Sequence, residues 1–231
     1  MCGQCGCEQG APFTPEPTRI VLQRNLLERN EQQALHNRIH FEQHGLLAVN
    51  LVSAPGSGKT ALLEQLARQW PRPPIGVIVG DLATDNDAQR LKSAGARSVQ
   101  IQTGDLCHLE ADLVARAFDQ LETRGMDLLM IENVGNLVCP TAFALGEHLR
   151  IALISVTEGE DKPLKYPALF KSVDAVLINK IDLEEVVGFD RRAALANLRD
   201  TAPQAEVFAI SARSGAGVEA VMAWLQDEQR N

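Results

Sequence analysis

Apolar and polar positions along the chain repeat one unit. Leu46-Leu-Ala-Val-Asn-Leu-Val52 is a near-continuous apolar run. A polar, glycine-bearing turn follows, and then Leu62, Leu63, Leu66 and Ala67 recur at helical spacing. Comparable runs at Ile75–Gly80, Ser98–Thr103, Asp127–Glu132, Arg150–Thr157, Asp174–Asp182 and Ala205–Ile210 read as further buried strands. Helical patterns lie between or after them, at Asp112–Leu121, Ala168–Lys171, Arg191–Leu198 and Val218–Leu225. Strands alternating with helices predict an α/β fold: three layers, with a mostly parallel seven-stranded sheet. Ahead of this body, residues 19–44 read as one helix, with Ile20, Val21, Leu26, Leu27, Leu35 and Ile39 as its candidate apolar positions. Residues 1–18 show no periodicity and carry Gly10, Pro12, Pro15 and Pro17, as in a mobile tail. The expected organisation is therefore a tail (1–18), a helix (19–44) and one domain (45–231).

Composition narrows the setting. The chain has 231 residues, 45% of them apolar, which suffices for one large core. A net charge of −8 argues against nonspecific binding of nucleic acid or of an anionic membrane. No apolar run reaches the length of a membrane span, and the first residues lack the pattern of a signal peptide. A cytoplasmic protein is expected. Five cysteines, an odd number, suit reduced thiols better than a disulfide framework.

The turn after the first strand carries Pro55-Gly-Ser-Gly-Lys-Thr-Ala61. A buried strand, a glycine loop and a helix, in that order, form the setting of a phosphate-binding P-loop. Gly56 and Gly58 let backbone N–H groups turn inward, Lys59 reaches the β- and γ-phosphates, and the Thr60 hydroxyl is a Mg2+ ligand. Ser53 stands where the usual first glycine of the motif would be. Asp81 closes the second strand, where it could hold Mg2+, and Asp85 or Asp87 could position an attacking water; helix capping competes for Asp85. Glu132 ends the fourth strand opposite the P-loop, where an acid is expected at Mg2+ or its waters unless it merely caps, and Gly135 follows, similar to a D-x-x-G switch with Glu in place of Asp. Asn179-Lys-Ile-Asp182 is a guanine signature. The Asp182 carboxylate accepts from N1–H and the 2-amino group of guanine, groups that adenine lacks. Lys180 can lie over the base, and Asn179 ties this loop to the P-loop. Ser211-Ala212 falls where a GTPase meets guanine O6.

The cysteines fall into two groups. Cys2, Cys5 and Cys7 form a C-x-x-C-x-C cluster able to chelate one soft or borderline ion, with the α-amino group as a possible fourth donor. Cys107 and His108 are adjacent at a strand-to-helix turn, and Cys139 lies beyond the Glu132 loop. In a parallel sheet both loops emerge at one edge, so two thiolates and an imidazole can converge on Zn2+ or Ni2+. Unrelated cysteines and a stray histidine are the competing reading. His36, His40 and His44 share one helical face, as a weak metal stripe or simply a solvated or nucleotide-adjacent face.

Together the Cys2–Cys7 cluster, Asn50–Thr60, Gly80-Asp81, Thr103–Glu110, Ile131–Pro140 and Asn179–Asp182 closely resemble the HypB family of nickel-inserting GTPases, of the SIMIBI class of P-loop proteins. The resemblance implies GTP hydrolysis during [NiFe]-hydrogenase maturation, a GTP-dependent homodimer, a tight nickel site at Cys2, Cys5 and Cys7, and a weaker nickel or zinc site at Cys107, His108 and Cys139. It further implies partnership with a HypA-type maturation protein and the hydrogenase large-subunit precursor, and in some bacteria a metal-binding prolyl isomerase. A urease-type nickel GTPase is the nearest relative, but its C-P-H signature is lacking here. A nickel or zinc storage protein on a P-loop scaffold is the alternative, although the long histidine-rich stretch of storage-competent members is missing.

Overall fold

The computed structural model describes residues 16–72, 74–81, 86–104 and 106–230. Seven strands form one sheet: β1 (Leu47–Ser53), β2 (Gly76–Asp81), β3 (Arg97–Gln102), β4 (Leu128–Glu132), β5 (Leu149–Ser155), β6 (Ala175–Asn179) and β7 (Glu206–Ala209). Their spatial order is β3-β2-β4-β1-β5-β6-β7, and every pairing is parallel. The helices are α1 (Glu16–Gln43), α2 (Lys59–Gln69), α3 (Asn86–Ser93), α4 (Ala111–Phe118), the single turns α5 (Lys162–Lys165), α6 (Pro167–Phe170) and α7 (Glu184–Val187), then α8 (Arg191–Thr201) and α9 (Val218–Glu228).

β1 is buried along its whole length because both of its faces are covered. Val49 and Leu51 pack on one face with Leu62, Leu63 and Leu66 of α2 and Val221 and Leu225 of α9. Ala48 faces the other way, with Phe41, Val114 and Phe118. Further along that second face, Val52, Ala152 and Ile154 meet Phe170 and Leu198. The chain winds outward from β1 in both directions, so the carboxyl ends of β1, β4 and β5 flank the point where the strand order reverses. A crevice forms there.

Several local outcomes depart from the sequence pattern: α1 begins at Glu16, inside the expected tail, and the sixth strand ends at Asn179, with Ile181–Leu183 in a turn of 3-10 helix. The strand expected to run through Thr157 stops at Ser155, where Val156–Glu158 form a turn of 3-10 helix closed by a Ser155–Glu158 capping box. In α1, Leu26, Leu35 and Ile39 are 58%, 65% and 52% exposed, whereas Asn30, Ala34, Asn37 and Phe41 are buried. The reason is the surface on which the helix lies. It docks on α4 and on the loop before β5, where backbone groups at the start of the helix and in the loop take amide side chains as partners. Asn37 Nδ2 donates to Ala111 O (2.8 Å) and Leu145 O (2.9 Å), and Asn30 Nδ2 to Ala144 O (2.7 Å). Asn30 Oδ1 accepts from the Ala111 N–H, the first of α4. Of the histidine stripe, His40 and His44 rest edge-on against Phe118, and His36 is exposed. No described helix is long and apolar enough to cross a membrane.

Candidate functional site

The crevice is a cleft of about 410 Å3. Pro55, Gly56, Gly58, Lys59, Thr60 and Ala61 form one wall; Gly80, Asp87, Arg90 and the run Glu132–Gly135 form the other. Lys59 is buried and its Nζ donates to Ser53 Oγ at 2.9 Å. The serine that replaces the consensus glycine therefore anchors the P-loop lysine. Thr60 Oγ1 donates to Glu132 Oε1 at 3.0 Å, so these two candidate magnesium ligands already face one another across the β1–β4 pair. Gly135 presses on the P-loop: a Cβ there would stand 3.0 Å from Pro55 Cα.

The guanine-signature loop is bolted to the same cradle. Asn179 Nδ2 donates to Ser57 O (2.8 Å) while its Oδ1 accepts from Ala212 N (2.9 Å), and Lys180 Nζ donates to Gly56 O (2.8 Å). Lys180 takes φ 64, a left-handed conformation that costs a lysine energy and turns the chain sharply before exposed Asp182. The Ser211 and Ala212 amides are both engaged, with Ala216 O and Asn179 Oδ1 respectively. Gly58 closes the corner. Its φ is +104, and a Cβ would lie 2.5 Å from Asn179 Nδ2.

Cys107, His108 and Cys139 converge, their donor atoms all within 4.8 Å of one another. Cys107 Sγ is 3.7 Å from His108 Nδ1. Bond lengths of about 2.3 Å to sulfur and 2.0–2.1 Å to nitrogen put donors of a tetrahedral ion roughly 3.5–3.8 Å apart, so about an ångström of closure brings the three onto one ion. His108 stacks on Phe143 at 3.9 Å between ring centroids, which fixes the imidazole plane. Burial lowers the His108 pKa and favours the neutral, ligating form; Glu110, 3.8 Å from Nε2, opposes this weakly. The Cys107 thiol is raised, chiefly by its contact with Cys139, so an incoming ion must displace protons.

The CobW/HypB/UreG nucleotide-binding domain family matches residues 47–209. The hydrogenase maturation factor HypB of Azotobacter chroococcum mcd 1 is 46% identical over 228 residues, covering 98% of this chain and 75% of that protein. This chain belongs to the HypB family. The crystal structure of HypB from Helicobacter pylori in complex with nickel superposes with a TM-score of 0.84 at 40% identity, covering 87% of this chain and 95% of that one. At the level of fold alone, signal recognition particle 54 kDa protein from Aeropyrum pernix K1, solved with GDP, matches with a TM-score of 0.56 and 19% identity over 80% of this chain and 49% of that one. The sheet is thus the SIMIBI-class P-loop fold that the motifs implied.

Not every expected HypB site residue lies within view. Cys2, Cys5, Cys7 and Asp85 fall outside the described residues, and Asp81 is placed only as the end of β2. Conversely, four residues at the site escaped the sequence reading. Arg90 of α3 lines the cleft, held by Glu64 at 3.0 Å and Asp87 at 3.3 Å. Glu158 accepts from Ser57 Oγ at 2.6 Å and so braces the P-loop from the end of β5. Asn133 and Asn136 bind the loop that carries Cys107 and His108. Asn133 follows Glu132 at the end of an apolar strand; a polar residue continuing such a run was the available signal for it.

Proposed function

We propose that this HypB-family chain is a GTP-hydrolysing nickel metallochaperone, delivering nickel during [NiFe]-hydrogenase maturation, with nucleotide state coupled to the Cys107–His108–Cys139 site. One observation carries the coupling: Glu132, bonded to Thr60 of the P-loop, and Cys139, one of the three converging donors, lie on the same segment. A change at the γ-phosphate that moves Glu132 also moves a metal ligand.

In this reading Pro55–Ala61 cradle the phosphates, with Lys59 stabilising developing charge and Arg90 adding a second fixed positive charge to the cleft. Thr60 and Glu132 fit a hard divalent ion, since their oxygens already approach one another, and Asp81 is the third candidate ligand. Mg2+ supplies charge neutralisation between the phosphates when bound. Asp85 or Asp87 orients the attacking water. Asp182 reads guanine, and Asn179, Lys180, Ser211 and Ala212 hold that corner against the cradle. Arg90 sits in ion pairs with Glu64 and Asp87, which supports slow intrinsic turnover until a dimer or partner rearranges the cleft.

Nickel is the cargo. Cys2, Cys5 and Cys7 form the tight site, and Cys107, His108 and Cys139 form the release site, which can also take zinc. A GTP-dependent homodimer, a HypA-type protein, the large-subunit precursor and in some settings a metal-binding prolyl isomerase are the expected partners in the cytoplasm. The test is Lys59→Ala in a hydrogenase-producing cell. Maturation should fail while the metal content of the protein stays intact; normal maturation would leave only a nickel or zinc store on an idle P-loop scaffold.

A further inference from the structure

Segment 132–139 does more than join a nucleotide contact to a metal ligand. It is tied along its length to the loop that bears the other two ligands. Asn133 is fully buried (0% exposed) and lines the nucleotide cleft through its position beside Glu132. Its Oδ1 accepts from the N–H of Leu109 (3.2 Å), the residue after His108, and from the N–H of Val134 (3.0 Å). Its Nδ2 donates to Asn50 Oδ1 (3.2 Å) in the middle of β1, and Asn50 Nδ2 donates in turn to Glu147 Oε1 (3.0 Å). Further along, Asn136 Nδ2 donates to Cys107 O (3.3 Å), while Asn136 Oδ1 accepts from Val138 N (2.8 Å), next to Cys139.

We infer that Asn133 and Asn136 are the positioning residues that make the metal triad move as one body with Glu132. The physical reason is rigidity. A buried amide that satisfies two backbone donors and a second amide cannot shift alone without leaving polar groups unpaired, which is costly away from water. A displacement at Glu132 is therefore passed to Leu109 as well as along the chain to Cys139. Asn136 locks the far end, by fixing Cys107 O and the backbone entering Cys139 together. Without these two clamps the 132–139 segment could follow the phosphate while the Cys107–His108 loop stayed where it was, and hydrolysis would change the geometry less reliably. The inference rests on the proposed coupling of nucleotide to metal.

The experiment measures Ni2+ affinity with GDP and with a nonhydrolysable GTP analogue. It uses the full chain in a Cys2→Ala, Cys5→Ala, Cys7→Ala background, so that only the inner site is titrated. Asn133→Ala and Asn136→Ala are compared with this parent, and thermal melts verify that each variant folds. The parent should show different affinities in the two nucleotide states. In Asn136→Ala, which makes no bond to Lys59, Thr60 or Glu132, the ratio should shrink at least threefold, and Asn133→Ala should shrink it further. Amide exchange adds a second readout: Leu109 N–H should exchange faster in Asn133→Ala, and its protection in the parent should depend on the nucleotide. If the parent shows a ratio but Asn136→Ala keeps it in full, the clamp is wrong and the coupling stands. If the parent shows no ratio, the coupling itself fails and the clamp with it.

Discussion

At the scale of single residues, the site is a set of donors whose charge state is tuned by close neighbours. Cys107 is held in its thiol form by Cys139, while burial keeps His108 neutral. A metal ion entering this triad releases protons from sulfur rather than from nitrogen. Ni2+ affinity of the inner site should therefore climb between about pH 6 and pH 8, by about tenfold per pH unit for each proton displaced. A competition titration across that range checks it; a flat profile would mean that binding displaces no proton. Asp182 is the other residue with a single sharp role. Asp182→Asn replaces a two-lone-pair acceptor by one donor and one acceptor, which suits xanthine better than guanine. GTP affinity should drop roughly hundredfold and XTP affinity should rise. Equal losses for both nucleotides would take base reading away from Asp182.

At the scale of elements, the decisive contacts are between loops at the carboxyl ends of neighbouring strands. Gly58 holds the P-loop beside Asn179 at a φ of +104, with no room for a Cβ. Gly58→Ala should cost about 1–3 kcal/mol of stability, from the backbone strain, and should weaken nucleotide binding as Asn179 is pushed off Ser57 O. Thermal melts with and without GDP separate the two effects. Gly135 plays the matching part on the switch side, where it packs on Pro55. The sequence pattern located these elements well, because each strand is an apolar run and each phosphate or base loop carries a fixed motif. It misjudged α1. Leu26, Leu35 and Ile39 form an apolar pattern that reads as a buried face, yet the face that docks is built on Asn30 and Asn37. Periodicity registers hydrophobic burial and is blind to a helix that binds backbone carbonyls through amides.

At the scale of the whole molecule, one parallel sheet brings together residues far apart in the chain. The P-loop follows β1, the switch follows β4, the cysteine–histidine loop follows β3, and the guanine loop follows β6. Their convergence was legible in advance, since parallel strands deliver all their following loops to one edge. The links between them were not. Asn50–Asn133–Leu109, Glu158 on Ser57, and Arg90 on Glu64 are pairings of residues distant in sequence, and no local pattern announces them. They turn three neighbouring sites into one connected body, and linkage then requires that nucleotide and metal influence each other by the same factor. The most direct test works from the nucleotide side. The ratio of GTP-analogue to GDP affinity is measured for the protein with the N-terminal cysteines replaced, first without metal and then at saturating Ni2+. The account predicts that nickel changes this ratio, and that Cys139→Ala abolishes the change; a ratio that nickel leaves untouched would contradict it.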